Sequence, residues 1–364
     1  MEVKIVAVIT HWMEGEINNF IKVWLSAILS ITYCYYAAAM LRKGPPRLAA
    51  FLPVIGLLLV LPLQLRSMHL CGFTAFFLAW LAVFKLLMFT YGIGPLAADS
   101  ISLPEFIAVA CLPIKLRTQE SQETIPHKKG SKSILNYAIK LILLAFVIIG
   151  YGYVDHMHSK IVLFMYGLHI YLLLEIQLAV AAAAARLLLG VELEPHFDEP
   201  YLSASLQDFW GRRWNLMVTG ILRPTVYFPV LRWSAVVMGR KWASLPAVMA
   251  TFAVSGLMHE LIFYYFGHVQ PTWEVTGFFL LHGSCLALEI IIKRAVNGRL
   301  RLPRVAGAIL TVGFVAITAF WLFFPPFLRC KADERGQAEI AAVGEFVNDV
   351  VSALGFKVNS EEFT

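Results

Sequence analysis

The sequence predicts an all-α, polytopic integral membrane protein with about eight transmembrane helices. Hydrophobic residues make up 59% of the 364 residues and charged residues only 15%, whereas a soluble domain has about 45–50% apolar and about 25% charged residues. Apolar runs of about 20 residues, the length of helix that crosses the hydrocarbon core, recur along the chain. We therefore predict one membrane-embedded domain over residues 1–364, with 325–364 as a C-terminal tail on the lumenal side.

Eight apolar runs are predicted to span the membrane. In chain order they are Ile17–Met40, Leu48–Leu65, Phe73–Tyr91, Leu135–Tyr153, Ile161–Ala185, Leu245–Phe266, Thr276–Ile292 and Val305–Phe324. The first run is long enough to span and lacks a small-residue cleavage site after a short apolar core. It is therefore predicted to be a retained signal anchor rather than a removed signal peptide.

Basic residues are concentrated in three of the predicted loops. They are Arg42, Lys43 and Arg47 in the first, Lys115, Arg117, Lys128, Lys129 and Lys132 in the third, and Lys293, Arg294, Arg299, Arg301 and Arg304 in the last. The positive-inside rule places these loops in the cytosol, which agrees with the formal net charge of +6. No clustered basic face of a soluble module is visible, so nucleic acid is not a predicted partner.

A ninth apolar stretch, Leu216–Val237, is interrupted by arginines and prolines that are unfavourable within a membrane helix. Its flanking pairs, Arg212–Arg213 and Arg240–Lys241, both fall on the cytosolic side. We predict that the stretch enters and returns, or lies against other helices, without crossing. Irregular backbone at membrane depth needs cover from protein or a water-filled cavity, so this stretch predicts an internal chamber. The shorter run Leu103–Leu116 is predicted to be interfacial.

The stretch SLQDFWGRRWN, residues 205–215, concentrates polar and aromatic side chains in an otherwise apolar chain. Ser205 and Asp208 have the spacing of a capping box at a helix start. A helix from Leu206 would align Leu206, Trp210 and Trp214 on one face and Gln207, Gly211 and Asn215 on another. Asp208 would then lie one turn from Arg212 and could pair with it.

Two interpretations of this stretch remain open. In the first it is an amphipathic interfacial helix, with tryptophans at the headgroup boundary and arginines on lipid phosphates. In the second, Arg212 and Arg213 hold a phosphorylated cofactor at the cytosolic mouth of a chamber, and Asn215 points inward. A purely interfacial helix has little need of both Gly211 and Asn215.

The stretch SGLMHELIFYY, residues 255–265, places His259 and Glu260 inside a predicted span. Ionisable residues in hydrocarbon are expensive and indicate function by default. Ser255 shares a helix face with His259, whereas Glu260 points about 100° away and could pair with a basic residue or hold the fold. The alternative is a histidine hydrogen-bonded between helices, which is our interpretation of His169 and His282.

A dry histidine beside an amide suits acyl transfer. Burial disfavours the charged imidazolium, so a neutral ring can act as a general base toward an alcohol. An asparagine amide can donate to a developing oxyanion without adding charge, and exclusion of water protects an activated acyl group. His156 and His158 lack further ligands, so no metal site is predicted.

These two motifs, together with the upstream LEPHFDEPYL (Leu193–Leu202) and the multi-span layout, resemble the plant wax synthase branch of the membrane-bound O-acyltransferase family. The resemblance implies a helical enzyme of the endoplasmic reticulum membrane that transfers an acyl group from acyl-CoA to a lipid hydroxyl inside a chamber. The near-invariant histidine of the family falls on His259, and its upstream asparagine falls on Asn215.

The expected site residues follow from the motifs and the resemblance together. His259 and Asn215 are expected to be catalytic. Glu260, Asp208, Trp214 and Ser255 are expected to support them. The residues expected to bind acyl-CoA are Arg212, Arg213, Gln207, Trp210 and Arg223.

The expected reaction uses acyl-CoA as co-substrate, needs no cofactor and converts a long-chain alcohol into a wax ester. Diacylglycerol acetyltransfer and sterol acyltransfer are alternatives within the same family. A proton- or ion-coupled transporter, with the His259–Glu260 pair as a relay, is the alternative of another class. The motifs leave acyl length, acceptor and oligomeric state open.

Overall fold

The computed structural model describes residues 15–98, 101–113, 134–189, 196–296 and 302–354. Within these ranges the chain is helical and contains no strand, which confirms the predicted all-α class. The predicted basic residues at 115–132, Arg299, Arg301, the Leu193–Pro195 part of the upstream motif and the tail beyond 354 lie outside the described residues.

Twelve helices follow one another along the described chain. They are α1 (Glu16–Met40), α2 (Pro45–Gln64), α3 (Met68–Thr90), α4 (Leu103–Cys111), α5 (Leu135–His156), α6 (Ser159–Leu189), α7 (206–213), α8 (216–238), α9 (Ser244–Gly267), α10 (Glu274–Ala295), α11 (Arg304–Arg329) and α12 (Ala332–Ala353). Eight of these are long and apolar enough to cross a membrane, and they coincide with the eight predicted runs.

Helix α3 forms the centre of the fold. Its middle segment, Ala75–Ala82, is a π-helix in which every residue is buried. Lys85, one turn further on, is completely buried and donates from Nζ to the carbonyls of Val109 and Leu112, at 2.6 Å each. The carbonyls at a helix C-terminus carry a partial negative charge, so this buried amine caps α4 and locks it to α3.

Helix α4 is more deeply packed than predicted. The sequence predicts an interfacial segment, but Phe106 and Val109 are fully buried against α1 and α3. The ring of Phe106 packs edge-on against Tyr35 of α1, with centroids 5.2 Å apart. The two prolines on which the interfacial prediction rested mark the ends of the helix. Pro104 lies in its first turn and Pro113 follows its last residue.

The interrupted stretch is one continuous helix, α8, and the chain does not turn back within it. Arg223–Tyr227 adopts π geometry around Pro224, because a proline lacks the N–H needed to continue the regular ladder and a wider turn absorbs the mismatch. Helix α8 packs along α9. Of the two predicted paths, the structure therefore has the helix that lies against others.

Helices α9 and α10 pack closely because glycines lie at their contact. A Cβ at Gly256 would lie 3.0 Å from the Cα of Thr276, and one at Gly283 would lie 3.0 Å from the Cβ of Phe252. Across this contact the carboxylate of Glu260 accepts a hydrogen bond from the Thr276 N–H, at 3.0 Å. The close pairing holds the central part of α9, which carries His259, in a fixed position.

The region predicted to be a C-terminal tail, 325–364, is helical over most of its described residues. Helix α11 continues to Arg329, and α12 follows after a short turn. The Glu339 carboxylate on α12 accepts hydrogen bonds from Ser67 Oγ, the Met68 and His69 N–H groups, and His69 Nδ1. These contacts dock α12 on the first turn of α3.

Candidate active site

An internal cavity of about 700 Å³ opens among α3, α5–α10, the end of α11 and α12. Most of its lining is apolar and aromatic, as expected for a site that binds lipid chains. Eight of the predicted site residues line it: Gln207, Trp210, Arg212, Trp214, Asn215, Arg223, Ser255 and His259. The fold thus brings residues from α7, α8 and α9, which are separated by up to about 50 positions, to one chamber.

His259 is held in a defined tautomer by the backbone of its own helix. Its Nδ1 lies 2.7 Å from the carbonyl oxygen of Ser255. A carbonyl only accepts hydrogen bonds, so Nδ1 carries the proton and the Nε2 of the neutral ring keeps its lone pair. Among the described residues Nε2 has no hydrogen-bond partner. A half-buried imidazole on a cavity wall, with that nitrogen free, is suited to accept a proton.

Aromatic rings surround the imidazole on several sides. Phe279 lies against it with centroids 4.4 Å apart, Trp80 meets it edge-on at 5.0 Å and Phe323 at 5.9 Å. These rings come from α10, α3 and α11, so three spans fix the ring position. They also give the imidazole a largely apolar environment, which strengthens electrostatic interactions there.

Asn215 lies at the sharp junction between α7 and α8. Its backbone is left-handed, with φ of 37°, and its Oδ1 caps α8 by accepting the Val218 N–H at 3.3 Å. Asparagine is favoured both in left-handed backbone and at helix N-caps. The cap uses the amide oxygen, and within the described part of the chain Nδ2 has no hydrogen-bond partner. A donor on the cavity wall is therefore available to an oxyanion.

Asp208 pairs with Arg213, not with the predicted Arg212. Residues Phe209–Arg213 form a π-helix, which brings the side chain five positions on, rather than four, over the acid. Arg213 Nε lies 2.9 Å from Asp208 Oδ2, and its Nη1 donates to the carbonyls of Asp198 and Glu199. Neither Asp208 nor Arg213 lines the cavity, and Arg213 is engaged by contacts within the protein.

The other polar residues predicted to bind acyl-CoA lie at the exposed end of the cavity. Gln207, Arg212 and Arg223 are solvent-exposed and line the cavity. Lys293 donates to Gln207 Oε1 at 3.2 Å, and the Arg223 guanidinium lies over the Phe228 ring at 5.7 Å. This end carries positive charge suited to phosphate groups.

The two tryptophans of the motif point into the protein, contrary to the interfacial interpretation. Trp210 Nε1 donates to Nδ1 of the completely buried His282 at 3.1 Å. Trp214 stacks on Phe209, with centroids 5.3 Å apart and planes 15° apart. Both indoles therefore form chamber wall.

Glu260 is buried but does not line the cavity. It caps the N-terminus of α10 through Thr276, so of the two predicted roles the structure supports holding the fold. No salt bridge joins it to a basic residue in the described ranges. A His259–Glu260 relay has no geometric basis here, because the acid points away from the chamber.

Sequence reasoning missed several residues around the chamber. Trp80 and Phe279 carry no local signal, since aromatic residues are common in spans. His282 and His169 were predicted to hydrogen-bond between helices. His282 Nε2 lies 2.8 Å from Thr318 Oγ1 on α11, and His169 Nδ1 lies 2.8 Å from the Tyr151 hydroxyl on α5. The link from His282 through Trp210 to the cavity wall exists only in the fold.

Comparison with known proteins identifies the family. Residues 193–281, which contain all three motifs of the sequence, match the membrane bound O-acyl transferase family. The acyl-CoA–sterol O-acyltransferase 1 of Arabidopsis thaliana is 47% identical over 335 residues, which cover 91% of this chain and 97% of that protein. The long-chain-alcohol O-fatty-acyltransferase of Simmondsia chinensis is 44% identical over 88% of this chain and 93% of its own length. A probable long-chain-alcohol O-fatty-acyltransferase 1 of Arabidopsis thaliana is 45% identical over 91% of this chain and 97% of its own length.

The chain belongs to the membrane bound O-acyl transferase family. This confirms the family predicted from the motifs and makes the chain an O-acyltransferase rather than a transporter. Two acids of the spanning helices are also engaged elsewhere. Glu175 pairs with Lys140 and Glu289 with Lys293, and neither acid lines the cavity of the acyltransferase.

Proposed function

We propose that the protein transfers a fatty acyl group from acyl-CoA to the hydroxyl of a long-chain alcohol and forms a wax ester. The observation that carries the proposal is the geometry of His259. Its Nδ1 proton is bound to the Ser255 carbonyl, and its Nε2, which no described residue engages, lies on the wall of an apolar cavity that Asn215 also lines. Base and amide donor in one dry chamber are the groups that this reaction needs.

The reaction proceeds by direct transfer. The alcohol oxygen attacks the thioester carbon while His259 Nε2 takes the hydroxyl proton. Asn215 Nδ2 donates to the oxyanion of the tetrahedral intermediate. When the intermediate collapses, the carbon–sulfur bond breaks, the ester remains, and the imidazolium returns the proton to the leaving CoA thiolate.

The two substrates reach the chamber by different routes. The nucleotide part of acyl-CoA binds at the exposed end that carries Gln207, Arg212 and Arg223, and the acyl chain extends into the aromatic cavity. The alcohol partitions from the surrounding lipid. Positive-inside topology puts the basic end on the cytosolic side. The resemblance to plant wax synthases favours the endoplasmic reticulum membrane.

A sterol is the second candidate acceptor. It is supported by the 47% identity to a protein named as an acyl-CoA–sterol O-acyltransferase, against 44–45% to proteins named for long-chain alcohols. These identities are too similar to separate a linear alcohol from a ring system.

The test is an ester-forming assay with the purified protein in lipid nanodiscs. Acyl-CoAs of several lengths are supplied with a fatty alcohol, a sterol or diacylglycerol, and the esters are identified by mass spectrometry. We expect wax ester from wild type, none from His259→Ala, and wild-type turnover from His156→Ala, a control at the exposed end of α5. If sterol ester is the main product, the acceptor is a sterol and not a long-chain alcohol. A folded His259→Ala variant that keeps its activity would overturn the mechanism.

A further inference from the structure

The segment just upstream of the α7 motif lies directly against the turn that carries Asn215. We call residues 196–199 the clamp segment. Its backbone pairs with the turn on both sides of Asn215. The Leu216 N–H donates to the His196 carbonyl at 2.8 Å, and the Asp198 N–H donates to the Arg213 carbonyl at 3.0 Å. The two hydrogen bonds fix the path of the chain immediately before and after the proposed oxyanion donor.

Side chains reinforce this backbone pairing. The Arg213 guanidinium donates to the Asp198 carbonyl at 2.9 Å and to that of Glu199 at 3.4 Å. Phe197 is almost fully buried and packs edge-on against Trp214, with centroids 5.4 Å apart. The turn at Asn215 is therefore held by hydrogen bonds on one side and by ring packing on the other.

The clamp segment is itself anchored at both ends. His196 Nε2 lies 2.5 Å from the Pro113 carbonyl, which follows the end of α4 that Lys85 caps. Burial lowers the pKa of His196, so the ring is neutral and its proton lies on Nε2, toward the acceptor. At the other end, Glu199 Oε1 lies 3.3 Å from Lys140 Nζ of α5, and the same ammonium lies 2.7 Å from Glu175 of α6.

Such anchoring matters because the backbone at one end of the clamp segment is strained. Asn215 and Glu199 both have left-handed backbone, with φ of 37° and 47°. Left-handed backbone costs of order 1 kcal/mol or more for a residue other than glycine and persists only where surrounding contacts impose it. Asparagine adopts this region readily, so the strain lies at Glu199, whose conformation is set by the surrounding contacts and not by local preference.

We infer that His196 and Glu199 are positioning residues, which hold Asn215 in the chamber by clamping its turn to α4 and to the α5–α6 pair. Neither residue lines the cavity, so they act through Asn215 and not on substrate. The inference rests on the proposed function insofar as Asn215 stabilises the oxyanion. A displacement of about 1 Å in such a donor can lower the rate about 100-fold, so the clamp controls turnover more than binding.

The experiment compares His196→Ala, His196→Gln, Asn215→Ala and the double variant His196→Ala/Asn215→Ala in nanodiscs. Glutamine presents an N–H close to the position of histidine Nε2, so His196→Gln keeps the bond to Pro113. We expect His196→Ala to lower kcat by about 10- to 100-fold with little change in the KM for acyl-CoA, and His196→Gln to restore most of the loss. The matched control is Tyr201→Phe, an exposed position in the same stretch, which should behave as wild type.

The double variant separates positioning from general stability. If His196 acts only through Asn215, then His196→Ala has no further effect once Asn215 is alanine. The inference is wrong if His196→Ala lowers kcat by the same factor in the Asn215→Ala variant as in wild type. It is also wrong if a folded His196→Gln is as slow as His196→Ala. Either result leaves the proposed function intact. A wild type that esterifies no acceptor would overturn the proposed function instead.

Hydrogen exchange gives a readout that does not depend on turnover. The amides of 216–218 should exchange faster in His196→Ala than in wild type, and unchanged exchange would overturn the clamp itself. Should His196→Ala fail to fold, Glu199→Gln serves the same purpose, because Lys140 keeps Glu175 as a partner. Glu199→Gln should also lower kcat and speed hydrogen exchange of the amides of 216–218. Wild-type kcat and exchange in this variant would show that the contact between Glu199 and Lys140 does not position Asn215.

Discussion

The tautomer of His259 depends on a backbone atom rather than on a neighbouring side chain. The sequence predicts that Ser255 supports the histidine, and the structure shows its carbonyl as the acceptor of the Nδ1 proton. Among the described residues the Ser255 hydroxyl has no hydrogen-bond partner, so the hydroxyl is dispensable for this role.

We therefore expect Ser255→Ala to keep turnover close to wild type. Alanine preserves both the helix and the carbonyl that fixes the tautomer. His259→Gln should be inactive although it folds, since an amide cannot take the proton. Measured kcat values for the two variants check this, and a large loss in Ser255→Ala would show that the hydroxyl contributes to the chemistry.

The adjacent arginines of the motif provide a matched pair at the residue scale. Arg212 is exposed and lines the cavity, whereas Arg213 is held by Asp208 and two carbonyls. We expect Arg212→Ala to raise the KM for acyl-CoA by about 10-fold, the loss of one charged hydrogen bond, with unchanged Tm. Arg213→Ala should instead destabilise the fold by about 1–3 kcal/mol.

Kinetics and thermal unfolding in detergent, measured on both variants, distinguish the two roles. Equal changes in the KM for acyl-CoA would mean that both guanidinium groups contact the substrate. That result would contradict the position of Arg213 outside the cavity.

At the scale of elements, the α9–α10 pair holds the base in place. Gly256 lets the helices approach, and Glu260 caps α10 across the contact. The cap explains a carboxylate inside a predicted span without a catalytic role, because it satisfies a buried backbone donor at a helix N-terminus.

Glu260→Ala should lower stability by about 1–3 kcal/mol, since it leaves the buried Thr276 N–H without its acceptor. The surviving folded protein should retain its KM for both substrates. Thermal unfolding and steady-state kinetics check this expectation. A large fall in kcat with unchanged Tm would instead give Glu260 a direct part in catalysis.

At the scale of the whole molecule, α12 closes the fold onto α3. Glu339 receives hydrogen bonds from the first turn of α3, and Asp333, Gly336 and Gln337 of α12 line the cavity. Burial raises the pKa of the Glu339 carboxyl, but its hydrogen bonds with His69, Met68 and Ser67 lower it by more, so the net pKa lies below its usual range.

A lowered pKa makes this contact sensitive to acid. The contribution of Glu339 is complete above the ordinary glutamate pKa of about 4.3 and is lost as pH falls through the lower folded value. We expect Glu339→Gln to lower Tm at pH 7 and the difference from wild type to shrink below pH of about 4. Thermal unfolding over pH 3–8 measures it, and a pH-independent difference would contradict this assignment.

Local patterns were reliable where chemistry is local. Runs of apolar residues predicted all eight candidate spans, because the length of the hydrocarbon core is a constraint that each segment meets alone. His259 and Asn215 were identified from motifs, and both line one cavity. The prediction that Asp208 pairs with Arg212 was wrong because it assumed a regular α-helix. The π-helix over Phe209–Arg213 moves the partner by one residue, to Arg213.

By itself, the sequence determined a helical membrane protein of eight spans, the family and the histidine that faces the chamber. These properties reside in composition, run length and short motifs, each of which meets its physical constraint within one segment. Only the tertiary structure decided that Arg213 is structural, that His282 holds Trp210 and that residues 196–199 hold Asn215. Those contacts join separate segments of the chain, 15 to 72 residues apart, and packing, which no local pattern records, selects them.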